Sequence, residues 1–131
     1  MKVLDTDTCV HILRGTPAVI QRRLAEPGAV ATTWMTAAEL YYGAAKSRAP
    51  EENRALVTEF LGTLPVLGLD ASAAALFGEF KALLERRGER VEDADLLVAA
   101  VAVAHGAVVV TGNGRHLGRV PGVQVEDWIR G

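Results

Sequence analysis

The chain reads as an α/β fold built on a parallel sheet, and three observations predict it. Short apolar segments suited to strands alternate with longer segments of helical periodicity along the 131 residues. Ala107-Val108-Val109-Val110 is the clearest strand in the chain. Asp93 to Ala104 is almost wholly apolar, which marks a helix at the centre of the molecule rather than on its surface. Half of the residues are apolar, enough for one well-filled core and too few residues for two comfortable domains.

The elements follow in order. Val3-Leu4 forms a short buried strand that ends at Asp5, and Asp7 to Arg14 a helix stopped by Gly15. Thr16-Pro17 opens a second helix with a cap and a first-turn proline, running through Val19, Ile20 and Leu24 to Pro27-Gly28. Ala29 to Thr32 is the next strand. Thr36 begins a helix containing Glu39, Leu40 and Tyr41, and Pro50 starts another whose apolar face carries Leu56, Val57, Phe60 and Leu61. Val66 to Leu69 is a third strand, and Ala71 to Arg87 a long amphipathic helix with Leu76, Phe80, Leu83 and Leu84 at helical spacing. After the apolar helix, Gly106 and the Ala107–Val110 strand, Val123 to Val125 adds an edge strand before Trp128. There is no internal repeat, low-complexity segment or linker.

Composition narrows the function classes. A net charge of −2 carries no bulk signal for nucleic acid or membrane, so any phosphate-binding patch must rest on particular arginines. Cys9, the single cysteine, excludes an internal disulfide and an all-thiolate metal site, and among Thr8, Val10 and Ile12 it reads as a small buried filler rather than a nucleophile. The start M-K-V-L-D runs directly into a strand, so no signal peptide is expected, and a cytoplasmic location is. The longest apolar stretch, Leu96 to Ala104, falls short of the roughly 18 residues of a membrane span. No H-E-x-x-H pair, P-loop, G-x-G-x-x-G fingerprint or Ser/His/Asp pattern is present.

What remains is acidic. Asp5, Asp7, Glu39 and Asp95 all stand at the starts of helices, at the rim of the expected core. In open α/β sheets ligands gather beyond the carboxyl ends of strands, where Asp5 and Thr111-Gly112-Asn113 both fall. Each acid also has a local explanation. Asp5 suits a helix cap, Asp7 a cap or a supporting role, and Thr36-Ala37-Ala38-Glu39 fits a capping box in which the glutamate bonds back to the cap amide. Asp95 resists that treatment most: a first-turn acid gains only about 0.3–1 kcal/mol from the helix dipole, and a carboxylate entering so apolar a helix is costly unless neutralised. Glu92 and Asp93 read as solvent-facing caps. Thr111 and Asn113 can hold a carboxylate or a metal-bound water by hydrogen bonds, or simply form a polar turn, and His116 is either a metal ligand or an exposed loop histidine.

Taken together these segments resemble a PIN-domain ribonuclease of the VapC toxin type, the toxin half of VapBC toxin–antitoxin pairs. The matching stretches are V-L-D-T-D-T-C-V, T-A-A-E-L-Y-Y-G-A with its following K-S, D-L-L-V-A-A-V-A-V-A-H-G, V-V-V-T-G-N and R-V-P-G-V-Q-V-E-D-W, in family order over nearly the full length. The resemblance implies a central parallel sheet flanked by helices on both faces, with Asp5, Glu39 and Asp95 converging as catalytic ligands of Mg²⁺, Mn²⁺ being an alternative. Asp7, Thr111 and Asn113 would support them. It implies RNA as substrate, a cognate VapB-type antitoxin whose C-terminal segment covers the acidic groove, and a homodimer; Tyr41, Tyr42 and Leu56 suit either such surfaces or the core. Two departures stand out. His116 occupies the place of a fourth family acid, with Asp93 as a conceivable substitute, and Glu92 stands where the family often has glycine.

Phosphodiester hydrolysis needs an activated water and neutralised phosphate charge, which a hard, oxygen-preferring cation supplies. Arg86, Arg87 and Arg90 upstream of Asp95, with Lys46 and Arg48 after the Glu39 helix, are candidates for RNA phosphate contacts or are solvated helix-end charges. Two rival readings remain. Val3-Leu4-Asp5-Thr6-Asp7 also resembles the opening D-x-D of haloacid-dehalogenase-type phosphatases, although the chain has only Lys2, Lys46 and Lys81 and none precedes the late acids in the expected context. The missing fourth acid also allows a degenerate PIN domain that binds RNA or a partner without cutting.

Overall fold

A computed structural model describes residues 1–131. Five parallel strands form one sheet in the order β3-β2-β1-β4-β5: β1 is Lys2–Leu4, β2 Val30–Thr33, β3 Val66–Leu67, β4 Val108–Val110 and β5 Val125–Glu126. The connecting helices are α1 (Thr6–Leu13), α2 (Pro17–Ala25), α3 (Trp34–Ala45), α4 (Pro50–Leu61), α5 (Ala71–Arg86), α6 (Asp93–Ala104) and α7 (Gly114–Leu117). The chain lays down β1, β2 and β3 toward one edge, then crosses back to place β4 on the other side of β1. The gap between β1 and β4 is therefore the switch point, where the outgoing loops diverge and leave a crevice.

Strand alternation divides the core between two faces. Val3 and Val109 point to one side and pack with Phe80 and Leu84 of α5, Leu96, Ala99 and Ala100 of α6, and Leu117 of α7. Leu4 and Val110 point to the other and pack with Cys9 of α1, Val19 of α2, Leu40 of α3, Val57 and Phe60 of α4, and Trp128. The parallel sheet with helices on both faces thus stands as expected. Register pairs Val3 with Val109 and Leu4 with Val110, so each buried layer is continuous across the central strands.

Several boundaries differ from the sequence expectation, each for a local reason. α1 begins at Thr6 because Asp5 itself is its cap. α3 begins at Trp34, not Thr36, because Thr33 at the end of β2 caps it. Leu69, expected in β3, lies beyond the last paired residues, Thr33 and Leu67, and is exposed. The edge strand falls at Val125–Glu126, and α7 was not anticipated; a helix of four residues carries too little periodicity to read. At the amino-terminal end of the sheet, Lys2 Nζ lies 2.6 Å from both Glu26 and Glu126. The bonds it donates hold both carboxyls below their ordinary range and raise the lysine.

No helix is long and apolar enough to cross a membrane. Cys9 is fully buried, and burial pushes its thiol up to about 12. The thiolate is the reactive form, so the native protein should not react with an aromatic disulfide reagent at pH 8, whereas the denatured chain should react at once. Equal rates in the two states would return Cys9 to the list of possible nucleophiles.

Candidate active site

Asp5 leaves the carboxyl end of β1 at the switch point. Its backbone N–H donates to the Val110 carbonyl at 3.0 Å, tying it to β4, and its Oδ1 accepts from the Thr8 N–H at 2.9 Å. The hydroxyl of Thr8 donates to the same Val110 carbonyl at 3.0 Å, so the first turn of α1 is fastened to the neighbouring strand. The Asp5 side chain is only 6% exposed. Burial pushes its carboxyl above the ordinary value, hydrogen bonds from Thr111 and Thr8 pull it back, and the negative charge of Asp7 adds to the rise. Capping and a site role are therefore compatible in one residue.

Glu39 is not the back-bonding member of a capping box. Thr36 lies in the first turn, and its N–H donates to Thr33 Oγ1 at 3.2 Å. The Glu39 side chain instead accepts from Thr6 Oγ1 at 2.6 Å, across 33 residues of sequence, and Thr6 Oγ1 lies 3.2 Å from Thr36 Oγ1. Thr6, between the two aspartates of D-T-D-T, thus binds the Asp5 turn to the Glu39 helix. Sequence reasoning missed it; the only signal was its position between two singled-out acids.

Asp95, in the first turn of α6, is half-buried. Burial raises its carboxyl, the charges of Glu39 and Glu92 raise it further, and His116 acts in the opposite direction. Glu39, Asp95 and His116 thus share one electrostatic neighbourhood. Asp95, Asn113 and His116 line a cleft of about 380 Å³ together with Arg90, Val91, Glu92 and Arg119. Asp93 faces elsewhere: it pairs with Lys81 at 3.1 Å and lines a different cavity.

The loop after β4 completes the rim. Thr111 is fully buried, and its hydroxyl accepts from the Asn113 N–H at 2.9 Å. Gly112 lies close to the ends of the Asp7 and Ile129 side chains, so that a Cβ there would lie 2.9 Å from both Asp7 Oδ2 and Ile129 Cδ1 and oblige them to shift. Arg130 donates to the Gly112 carbonyl, and Asp127 accepts from the backbone N–H groups of Ile129 and Arg130 at 2.8 and 2.9 Å. The C-terminal segment therefore braces the loop beside Asp7. Asp7 is exposed, with its carboxylate 4.0 Å from His11 Nε2.

Of the basic residues singled out, Arg90 reaches the cleft of Asp95, and Lys46 lines a groove that also includes Glu39. Arg86, Arg87 and Arg48 are exposed and line neither. Arg119 lines the cleft and was not anticipated.

No three His, Cys, Asp or Glu side chains are grouped tightly enough to form a ready-made metal cage. The donor set nevertheless suits Mg²⁺: the site offers carboxylate oxygens that repel one another, and Mg²⁺ keeps several waters and is held by one or two carboxylates plus substrate phosphates. Carboxylates that repel one another, as Glu39 and Glu92 do Asp95, suit a hard cation, with His116 the one nitrogen donor beside them.

Comparison with known proteins identifies the family of the chain. The PIN domain family model matches residues 2–123. The chain is 40% identical over 127 residues to the tRNA(fMet)-specific endonuclease VapC of Salmonella typhimurium, covering 96% of each chain. It is 35% identical over 128 residues to ribonuclease VapC2 of Haemophilus influenzae, covering 97% of each. It superposes on a chain of a DNA-bound VapBC structure from Salmonella typhimurium with a TM-score of 0.91 and 39% identity, covering 97% of both. A promoter-DNA-bound VapBC2 structure from Rickettsia felis gives a TM-score of 0.89 at 31% identity, covering 97% of this chain and 98% of the other. The chain therefore belongs to the PIN-domain family and, within it, to the VapC proteins. That membership sets aside the haloacid-dehalogenase reading of D-T-D.

Proposed function

We propose that the chain is a cytoplasmic, Mg²⁺-dependent endoribonuclease, the toxin component of a type II toxin–antitoxin pair. The observation that carries this reading is Asp95: a half-buried carboxylate raised by burial and by the charges of Glu39 and Glu92, in a cleft at the switch-point edge of the sheet. Asp5 and Asp95 would hold the cation, and Glu39 would ligate it or orient a water bound to it. When bound, the cation lowers the pKa of its water and neutralises charge on the phosphate. The chain's own residues do the rest: Thr6 fixes the Glu39 carboxylate, Thr8 and Thr111 hold Asp5, and Asn113 and His116 stand at the cleft.

The substrate would be single-stranded or loop RNA, and initiator tRNA is the first to test because a 40% identical relative is specific for tRNA(fMet). The related solved structures are VapBC complexes, which supports a VapB-type antitoxin as partner. A groove of about 330 Å³ between α1, α3 and α4, lined by Leu13, Leu40 and Leu56 and including Glu39, is suited to an apolar partner segment that ends at the acids. Trp34 and Leu69 are 59% and 53% exposed and line one apolar depression with Leu97, which supports a homodimer. Tyr42 is exposed and stacks under Lys46, while the Tyr41 hydroxyl bonds Thr58 at 2.8 Å.

The test is cleavage of pooled RNA and initiator tRNA with Mg²⁺ or Mn²⁺, beside Asp5→Asn and Asp95→Asn. Cleavage by the parent, lost in both variants, is expected; cleavage that survives both would sink the site. No cleavage of any RNA, with binding retained, would favour a degenerate binding module, a reading that His116 in place of a family acid keeps open. Thr6→Ala should lower cleavage by about 10–100-fold, as loss of a hydrogen bond that orients a ligand does. Thr6→Ser, which keeps the hydroxyl, should recover most of it, and equal losses in the two would count against the Glu39 contact.

A further inference from the structure

The acids that suit a cation also repel RNA, so the cleft needs fixed positive charge close to Asp95. Two full cations, Arg90 and Arg119, line it together with Glu92, Asp95, Asn113 and His116, around a space of about 380 Å³. They are held differently. Arg119 is anchored: its Nη1 donates to the Arg90 carbonyl at 3.2 Å, its Nε lies 3.9 Å from Glu89, and its side chain is about one-third exposed (36%). Arg90 is a free arm, 86% exposed, with only a 3.8 Å approach to the similarly exposed Glu92. Exposed pairs of that kind contribute little, so Glu92 does not hold it against a competing phosphate.

A guanidinium fixed before the ligand arrives loses less side-chain entropy on binding, and its planar fork matches two phosphate oxygens. Arg90, Val91 and Glu92 also line a second, separate cavity with Lys81, Glu85, Glu89 and Asp93, where the carboxylates outnumber the cations and disfavour a phosphate. Lys81 in that second cavity is taken up by Asp93 at 3.1 Å, so the cations nearest Asp95 are Arg90 and Arg119, the latter only loosely approached by Glu89 at 3.9 Å.

We propose that Arg119, with Arg90 beside it, forms a phosphodiester-binding subsite next to Asp95, and that it positions RNA rather than taking part in bond cleavage. The inference rests on the ribonuclease reading and adds to it where one backbone phosphate of the substrate sits. Contacts to phosphate fix register without reading sequence.

The experiment measures binding of single-stranded oligoribonucleotides of unrelated sequence to the full chain carrying Asp5→Asn, in Mg²⁺, over a range of KCl concentrations. Adding Arg119→Ala should make the slope of log affinity against log salt shallower by about 0.7, the value for one phosphate contact on a single strand, equally for every sequence. Arg90→Ala, at an exposed position that should not disturb the fold, should shift the slope in the same direction. In the otherwise unsubstituted chain, Arg119→Ala should raise KM about tenfold with kcat within about twofold, and Arg119→Lys should recover part of KM. An unchanged slope in either alanine variant overturns the two-arginine subsite while leaving the ribonuclease reading intact. A fall in kcat at unchanged KM overturns the positioning role. A parent chain that neither binds nor cuts RNA removes the ribonuclease reading, and the subsite with it.

Discussion

Asp95→Asn is expected to lower RNA cleavage by about 10²–10³-fold and, at the same time, to raise the melting temperature of the metal-free protein at pH 7. The activity loss is the size expected when one preorganised charged group at the reacting centre is removed. The stability gain follows from the cost of the native carboxylate. Burial, then the charges of Glu39 and Glu92, lift Asp95 above its ordinary value of 3.8. The folded protein accordingly keeps its proton to higher pH than the unfolded chain does, and stability declines as pH rises from about that value through the raised one. Asp5, lifted mainly by burial, acts in the same direction. An asparagine at position 95 carries no charge and escapes the repulsion. Mg²⁺ should raise the melting temperature of the parent and have much less effect on the variant, because a ligand that binds only the folded form stabilises it. Melting curves in chelator and in Mg²⁺ decide the matter. A variant less stable than the parent in chelator would mean that Asp95 is a structural carboxylate, not one held in readiness for a cation.

Trp128→Ala should destabilise the fold by about 3–5 kcal/mol, the usual loss for a large aromatic removed from a core. Trp128 is 2% exposed and packs in the layer that contains Leu4 and Val110, directly behind the strands that carry Asp5 and Thr111. For a domain of this size the loss corresponds to a fall in melting temperature of about 10 °C or more. The effect should also reach the site. Trp128 anchors the segment from which Ile129 packs at Gly112 and Arg130 bonds the Gly112 carbonyl. Trp128→Phe keeps one six-membered ring but loses the rest of the indole and the N–H donated to Glu126 at 3.1 Å, so it should cost about 1–3 kcal/mol, less than the alanine. Urea titrations that found the alanine and phenylalanine variants equally stable would show that the ring contributes nothing and that the account of this brace is wrong.

Most of the architecture was legible because it is written in local periodicity. The apolar Asp93–Ala104 segment is α6 with the expected boundaries, and the valine run is β4. The misplacements occur where two local signals compete. Thr33 and Thr36 are both competent caps, and β2 ending at Thr33 gives the role to the first, which frees Glu39 to face Thr6. Leu69 looks like a strand residue, but β2 supplies no partner past Thr33. In the site, Asp5 and Thr111 were readable from their places at strand ends. Thr6 and Arg119 were not, because a hydroxyl that bonds a carboxylate 33 residues away leaves no mark in its own neighbourhood. Arg119 begins the R-V-P-G-V-Q-V-E-D-W stretch, but nothing in that stretch says what its side chain meets, and only the tertiary packing brings it to the cleft that Asp95 lines.

By itself, then, the sequence determined most of the strands and helices, the four-residue α7 excepted, and which acids end up at their boundaries, since both depend on residue type and short-range spacing. It also carried the family resemblance, through motifs kept in order along the chain. Only the tertiary structure decided that β1 lies between β2 and β4, so that Asp5 leaves the sheet at its switch point, and that Glu39 and Asp95 face the same neighbourhood while Asp93 turns to Lys81. The reason is physical: a carboxylate's character depends on the burial and charge around it, and those come from residues that are distant in sequence and are brought close only by strand order.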